Sequence, residues 1–193
     1  MIEVEVKLPL FRRSITERAL VEAGFEAGDL VKESDIYYTS DFHDFMKRDE
    51  ALRIRQSENL TQISSRSILT YKGAKLDKVS MTRQELETVV ESPENMQAIL
   101  QALGYEPLFP VRKLRQYYHK GRITACVDQV EGLGSFLELE ILVEDESLRE
   151  EALKKIETIL DDLDLSLAES TTLSYLCMLQ KKSAKSASSS RSI

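Results

Sequence analysis

Two glutamates and a lysine at alternate positions open the chain, Met1-Ile2-Glu3-Val4-Glu5-Val6-Lys7. Period-two alternation turns Ile2, Val4 and Val6 to one face of a β-strand and Glu3, Glu5 and Lys7 to the other. At the rise of a strand the two carboxylates stand roughly 6–7 Å apart. That spacing suits a divalent cation, with the lysine one step further on to meet an anion carried by the cation. In isolation the segment reads first as an ordinary half-buried strand with one wet face. The same two-residue step recurs, however, in Arg53/Arg55, in Arg83/Glu85/Glu87, in Lys113/Arg115 and in Glu138/Glu140, the last flanked by Leu137, Leu139 and Ile141. Lys72 and Asp128 are candidate additions to this charged set. Arginine dominates the cations, and its planar fork suits multidentate contact with phosphate oxygens.

Positioning these side chains requires strands. Beyond the first, β-branched content or alternation predicts strands at residues 31–39, 51–57, 63–71, 81–90, 111–119, 123–130 and 136–143, the last two joined by the turn Glu131-Gly132-Leu133-Gly134. Ser14-Ile15-Thr16-Glu17 has the form of a capping box opening a helix that stops at Gly24. Ser92-Pro93-Glu94 opens a second helix that ends at Gly104, residues 148–163 form an amphipathic third, and 173–179 a short last one. Strands in consecutive runs, with helices between or after them, favour an antiparallel α+β fold. Closing eight strands with the helices outside would turn the charged faces inward, a tunnel that is costly unless ions fill it.

A length of 193 residues predicts one domain, here 1–180. The composition, 42% hydrophobic and 31% charged, is globular with more charge than usual. Residues 181–193, rich in lysine and serine without an acid, read as a disordered tail. The net charge is −7, and the first 180 residues alone carry −11, a poor field for binding nucleic acid. Cys126 and Cys177 lack metal-ligand spacing and read as free thiols of a reducing compartment. No apolar run reaches membrane-spanning length, so a soluble cytoplasmic protein is expected, with no membrane and no nucleic acid among its partners.

Glu3-Val4-Glu5-Val6-Lys7 resembles the Glu-x-Glu-x-Lys signature of the CYTH superfamily, the triphosphate tunnel metalloenzymes. Further similarities follow in family order: Leu52-Arg53-Ile54-Arg55, Thr70-Tyr71-Lys72-Gly73, Arg83-Gln84-Glu85, Lys113-Leu114-Arg115, Val127-Asp128 before Gly132-Leu133-Gly134, and Leu137-Glu138-Leu139-Glu140. The resemblance spans about residues 1–180 and implies a closed eight-stranded antiparallel β-barrel. It would make Glu3, Glu5, Glu138 and Glu140 ligands of Mg²⁺ or Mn²⁺, with two ions the expected number. Lys7, Arg53, Arg55, Lys72, Arg83, Lys113 and Arg115 would bind ATP or another triphosphate. Lys7, Arg115, Asp128 and Glu85 would form the catalytic set, the two acids lying near the reacting centre or one layer behind it.

The strand Ser34-Asp35-Ile36-Tyr37-Tyr38 and the Lys113-x-Arg115 pair look most like class IV adenylyl cyclases, which make cyclic AMP and pyrophosphate from ATP. Hydrolysis of inorganic triphosphate or thiamine triphosphate is the alternative, and a non-catalytic polyphosphate-binding module a third reading. A homodimer stays open. His43 and His119 stand without partners at metal-ligand or triad spacing, and no Gly-rich phosphate loop is present. Tyr37, Tyr38, Tyr71, Tyr117 and Tyr118 read as packing residues before base-stacking ones. Ser174-Tyr175 resembles a C-terminal family feature and reads equally as a helix residue capping the barrel.

Overall fold

The computed structural model describes residues 2–75 and 83–189, with side chains as far as Lys185. Its elements are β1 (Ile2–Leu10), α1 (Arg13–Glu22), β2 (Glu26–Thr39), β3 (Ala51–Asn59), β4 (Ser64–Lys72), β5 (Glu85–Val89), α2 (Pro93–Ala102), β6 (Glu106–Pro107), β7 (Val111–Lys120), β8 (Ile123–Val130), β9 (Gly134–Val143), α3 (Arg149–Asp162) and α4 (Tyr175–Ser189). Met81 and Thr82 of the expected fifth strand lie outside the described residues.

The eight long strands form one antiparallel curled sheet in the order β1-β9-β8-β7-β2-β3-β4-β5, with the two-residue β6 attached to β2. Among the described residues the edges of this sheet meet at one isolated bridge, Glu3 to Arg83. β5 pairs with β4 from Lys72 opposite Glu85 to Ile68 opposite Val89, and Arg83 just upstream reaches β1.

Alternation sorts the two faces. Val4, Val6 and Leu8 of β1, Ala125 and Val127 of β8, and Leu137, Leu139 and Ile141 of β9 pack under α1 and α3, against Leu20, Ile156 and Leu160. Leu100 and Met96 of α2 cover Ile54, Leu52 and Leu69. Burying these chains leaves the opposite, charged face of each strand to line the inside of the curl.

Local signals fared unevenly. Ser92 caps α2 by accepting from Asn95 N, with Pro93 in the first turn, and Gly24 ends α1 at φ +86°. The capping box at Ser14 does not form: the helix starts one residue earlier, at Arg13, and the Glu17 carboxylate accepts from Arg13 Nε at 2.8 Å instead. Of the tail, residues 181–189 are described and residues 190–193 lie outside the described residues. α4 continues through Ser189, because lysine and alanine are good helix formers and Lys182 Nζ anchors the helix to Gly132 O at 2.6 Å. Among the described residues no helix is long and apolar enough to cross a membrane. Both cysteines are free, Cys126 buried and Cys177 half-buried.

Candidate active site

Inside the curl lies a cavity of about 390 Å³. Every charged residue singled out from the sequence lines it except Asp128: Glu3, Glu5, Lys7 from β1; Arg53 and Arg55 from β3; Lys72, Arg83, Glu85 and Glu87; Lys113 and Arg115 from β7; Glu138 and Glu140 from β9. Register explains how they meet. Lys7 stands opposite Glu138, Asp35 opposite Arg55, Glu33 opposite Lys113, Arg115 opposite Asp128 and Lys72 opposite Glu85, all attractive pairs. Glu5 opposite Glu140 breaks the pattern, since like charges directly across a ladder repel.

Glu3 joins that pair, and carboxylate oxygens of Glu3, Glu5 and Glu140 lie within 4.8 Å of one another. Burial, with Glu138 and Glu5 nearby, pushes Glu140 up to about 7 despite the pull of Arg115. Burial and then Glu140 hold Glu3 well above the ordinary carboxylate range, against the attraction of Lys72. Glu5 Oε1 is a buried acceptor that no hydrogen bond satisfies, Lys7 Nζ at 3.3 Å giving an ion-pair contact only. Three converging carboxylate oxygen donors suit a hard divalent cation such as Mg²⁺ or Mn²⁺. Glu138 is placed apart from this triad. It pairs with Lys7 at 2.9 Å and with Arg115, and those cations hold its carboxyl well below the usual range although burial opposes them.

The triad makes a testable statement about pH. A carboxyl whose folded value is raised binds protons that the unfolded chain has lost, so its stabilising share is complete below the ordinary value of 4.5 and is lost as pH rises through about 7. A divalent cation competes with those protons. Saturating Mn²⁺ should therefore raise Tm more at about pH 8 than at about pH 6. Scanning calorimetry giving equal increments at both would remove the triad as a metal site.

The cations surround the triad. Burial disfavours a charged Lys7, yet Glu138 and Glu5 outweigh it and raise the ammonium above its ordinary range. Arg53 is buried, reaches Asp35 through Nη1 at 3.1 Å, and keeps Nε without an acceptor. A buried guanidinium N–H with no partner suits an incoming anion. Arg55 holds Asp35 through Nε at 2.7 Å and Nη2 at 2.8 Å, and also Glu33. Arg83 donates to the carbonyls of Asp49 and Gly73, both at 3.2 Å. Lys72 is bonded to Glu85, whose carboxyl Lys72 and a hydrogen bond with Glu3 keep low against the effect of burial.

Asp128 is wholly buried behind this wall. It accepts from Arg115 Nε and Nη2, each at 2.7 Å, from Lys113 Nζ at 3.0 Å and from the Tyr175 hydroxyl at 2.9 Å. Such a position holds cations in place and keeps the carboxylate away from a molecule in the cavity. His43 bonds Glu50 at 2.6 Å near the rim.

Sequence reasoning missed Glu33 and Asp35 as members of the site, and gave Tyr175 no contact with it. Glu33 and Asp35 are buried anchors of Arg55 and Lys113. Their step of two was visible, but Lys32 and Ser34 make the opposite face of β2 polar as well, so parity gave no clear signal.

The sequence model of the CYTH domain matches residues 1–175. A Methanocaldococcus jannaschii protein named "Putative adenylate cyclase MJ0240" is 38% identical over 176 residues, 91% of this chain and 97% of that protein. A solved Pyrococcus horikoshii OT3 protein superposes with a TM-score of 0.86 at 35% identity, over 93% of this chain and 99% of that one. The Hippeastrum protein HpAC1, described with a dominant triphosphatase activity, shares the fold at a TM-score of 0.68 and 16% identity, over 94% of this chain and 95% of that one. With the match running from the Glu-x-Glu-x-Lys strand to the start of α4, the chain belongs to the CYTH domain family.

Proposed function

We propose that this chain is a metal-dependent enzyme acting on a triphosphate, in the first place an adenylyl cyclase that converts ATP to cyclic AMP and pyrophosphate. The observation that carries the reading is the like-charge pair Glu5–Glu140, completed by Glu3, in a ladder whose neighbouring charged pair, Lys7–Glu138, attracts. Glu3, Glu5 and Glu140 would hold the divalent cation. When bound, it would offset charge on phosphate oxygens and lower the pKa of an attacking hydroxyl.

The remaining work falls to side chains of the wall. Lys7, Arg53, Lys113 and Arg115 would bind the polyphosphate and stabilise charge on its leaving portion, with Lys72, Arg83 and Arg55 completing the cationic lining. Asp35, Glu138 and Asp128 fix these cations beforehand, so little reorganisation is needed when substrate enters. In the cyclase reaction the ribose 3′-oxygen bonds to the α-phosphorus, the bond from that phosphorus to the β-phosphate bridging oxygen breaks, and the hydroxyl proton leaves to solvent.

The second reading is hydrolysis of a terminal phosphate, and the Hippeastrum protein supports keeping it, because it carries a dominant triphosphatase activity on the same fold. The purified chain incubated with ATP, inorganic triphosphate and thiamine triphosphate, each with Mg²⁺ or Mn²⁺, decides between them. Cyclic AMP and pyrophosphate from ATP are expected. Orthophosphate without cyclic AMP would replace the cyclase reading by the hydrolytic one.

A further inference from the structure

Tyr175, the first residue of α4, has its hydroxyl and its ring committed to the cationic wall at once. The segment leading into it is pinned to β1, since Thr171 N–H donates to the carbonyl of Lys7 at 2.8 Å. Ser174 Oγ then accepts from Cys177 N at 3.2 Å and starts the helix above the cavity. Tyr175 itself is buried and packs edge-to-face on Phe136, with centroids 5.0 Å apart.

The hydroxyl donates to Asp128 Oδ2, the oxygen that also accepts from Lys113 Nζ and Arg115 Nη2. A third donor on that oxygen restrains rotation of the carboxylate and therefore the two cations it carries. The ring meanwhile faces the ammonium groups of Lys7, 4.5 Å from its centroid, and Lys113, 5.3 Å away. An aromatic face attracts a cation without neutralising it. It thus holds both lysines against the wall without adding a further negative charge to those already paired with them, Glu138 for Lys7 and Asp128 for Lys113.

We propose that Tyr175 is a positioning residue that sets Lys7, Lys113 and Arg115 for a polyphosphate anion, so that the first turn of α4 governs substrate affinity. The proposal rests on the reading of the cavity as a triphosphate site. It requires a tyrosine: phenylalanine would keep the packing and lose the restraint on Asp128, and leucine would lose the restraint and the π-face together.

The test uses inorganic triphosphate as the probe, titrated calorimetrically into the full chain and into Tyr175→Phe and Tyr175→Leu. Wild type should bind. Tyr175→Phe should bind about tenfold more weakly and Tyr175→Leu about a hundredfold, in line with the loss of a charge-assisted hydrogen bond and then of two cation–π contacts as well. In turnover, Tyr175→Phe should raise KM by a similar factor and lower kcat too, because Lys7, Lys113 and Arg115 also stabilise charge on the leaving portion. If Tyr175→Phe folds and binds triphosphate as wild type does, the residue is structural only and the proposal fails, whatever happens to Tm. If wild type itself binds no triphosphate, the reading of the cavity fails and this proposal falls with it.

Discussion

Glu5→Gln is expected to lower metal-dependent turnover by at least ~100-fold while Tm in the absence of metal stays level or rises slightly. The two halves of that expectation have one cause. Glu5 faces Glu140 across the ladder and Glu3 along its own strand, and without a cation the three oxygens repel. Removing one charge relieves the folded protein, and glutamine keeps the shape and the contact surface. The same change removes one anionic ligand, and with it a share of a charge stabilisation worth several kcal/mol, at 1.4 kcal/mol per tenfold in rate. Circular dichroism and calorimetry on the variant, alongside the product assay, separate the effects. Full activity in Glu5→Gln would withdraw Glu5 from metal binding. A large fall in Tm would mean that the triad is a structural cluster whose charges are needed for folding.

Parity made this site readable before any coordinates. In β1 and β9 one face is apolar and the other carries Glu3, Glu5, Lys7, Glu138 and Glu140, so assigning the strands assigned the wall. Parity states which residues share a face and says nothing of which cross-strand partner each will meet. Glu138 and Glu140 therefore look equivalent in sequence, both two-step neighbours in an apolar run. Register separates them, setting Glu138 opposite Lys7 and Glu140 opposite Glu5. One becomes the anchor of two cations and the other a member of the acidic triad.

β2 shows where parity itself fails. Glu33 and Asp35 lie inside, but Lys32 and Ser34 on the reverse face are no more apolar. The ends of strands are harder to read than their faces, because hydrophobic pattern locates strand ends poorly. At the C-terminus composition is ambiguous, since a run of lysine, serine and alanine reads as solvated chain yet can also propagate a helix once Tyr175 and Leu176 have docked its first turn.

Asp128→Ala should cost about 3 kcal/mol of stability, near the lower end for breaking a buried ion pair, and lower Tm by roughly 6–12 °C in a chain of this size. Arg115 and Lys113 are both buried, and each keeps a second partner after the change, Glu138 for the arginine and Glu33 at 3.3 Å for the lysine. Those partners hold the cost near the lower bound. Freed from Asp128, the two cations re-pair with those acids and shift from their positions in the cavity lining, so turnover falls with stability. Asp128→Asn should be little better, since one of its two atoms becomes a donor facing a guanidinium or an ammonium. The Tm increment from a ligand grows with its affinity, and Asp128 sets the cations that bind the anion, so inorganic triphosphate should raise the Tm of Asp128→Ala by less than that of wild type. That smaller increment separates a carboxylate that holds cations from one that touches the reacting atoms. If Asp128→Ala kept its Tm and its triphosphate increment and lost only turnover, Asp128 would be a direct participant, and the cations beside it would owe their position to Glu138 and Glu33.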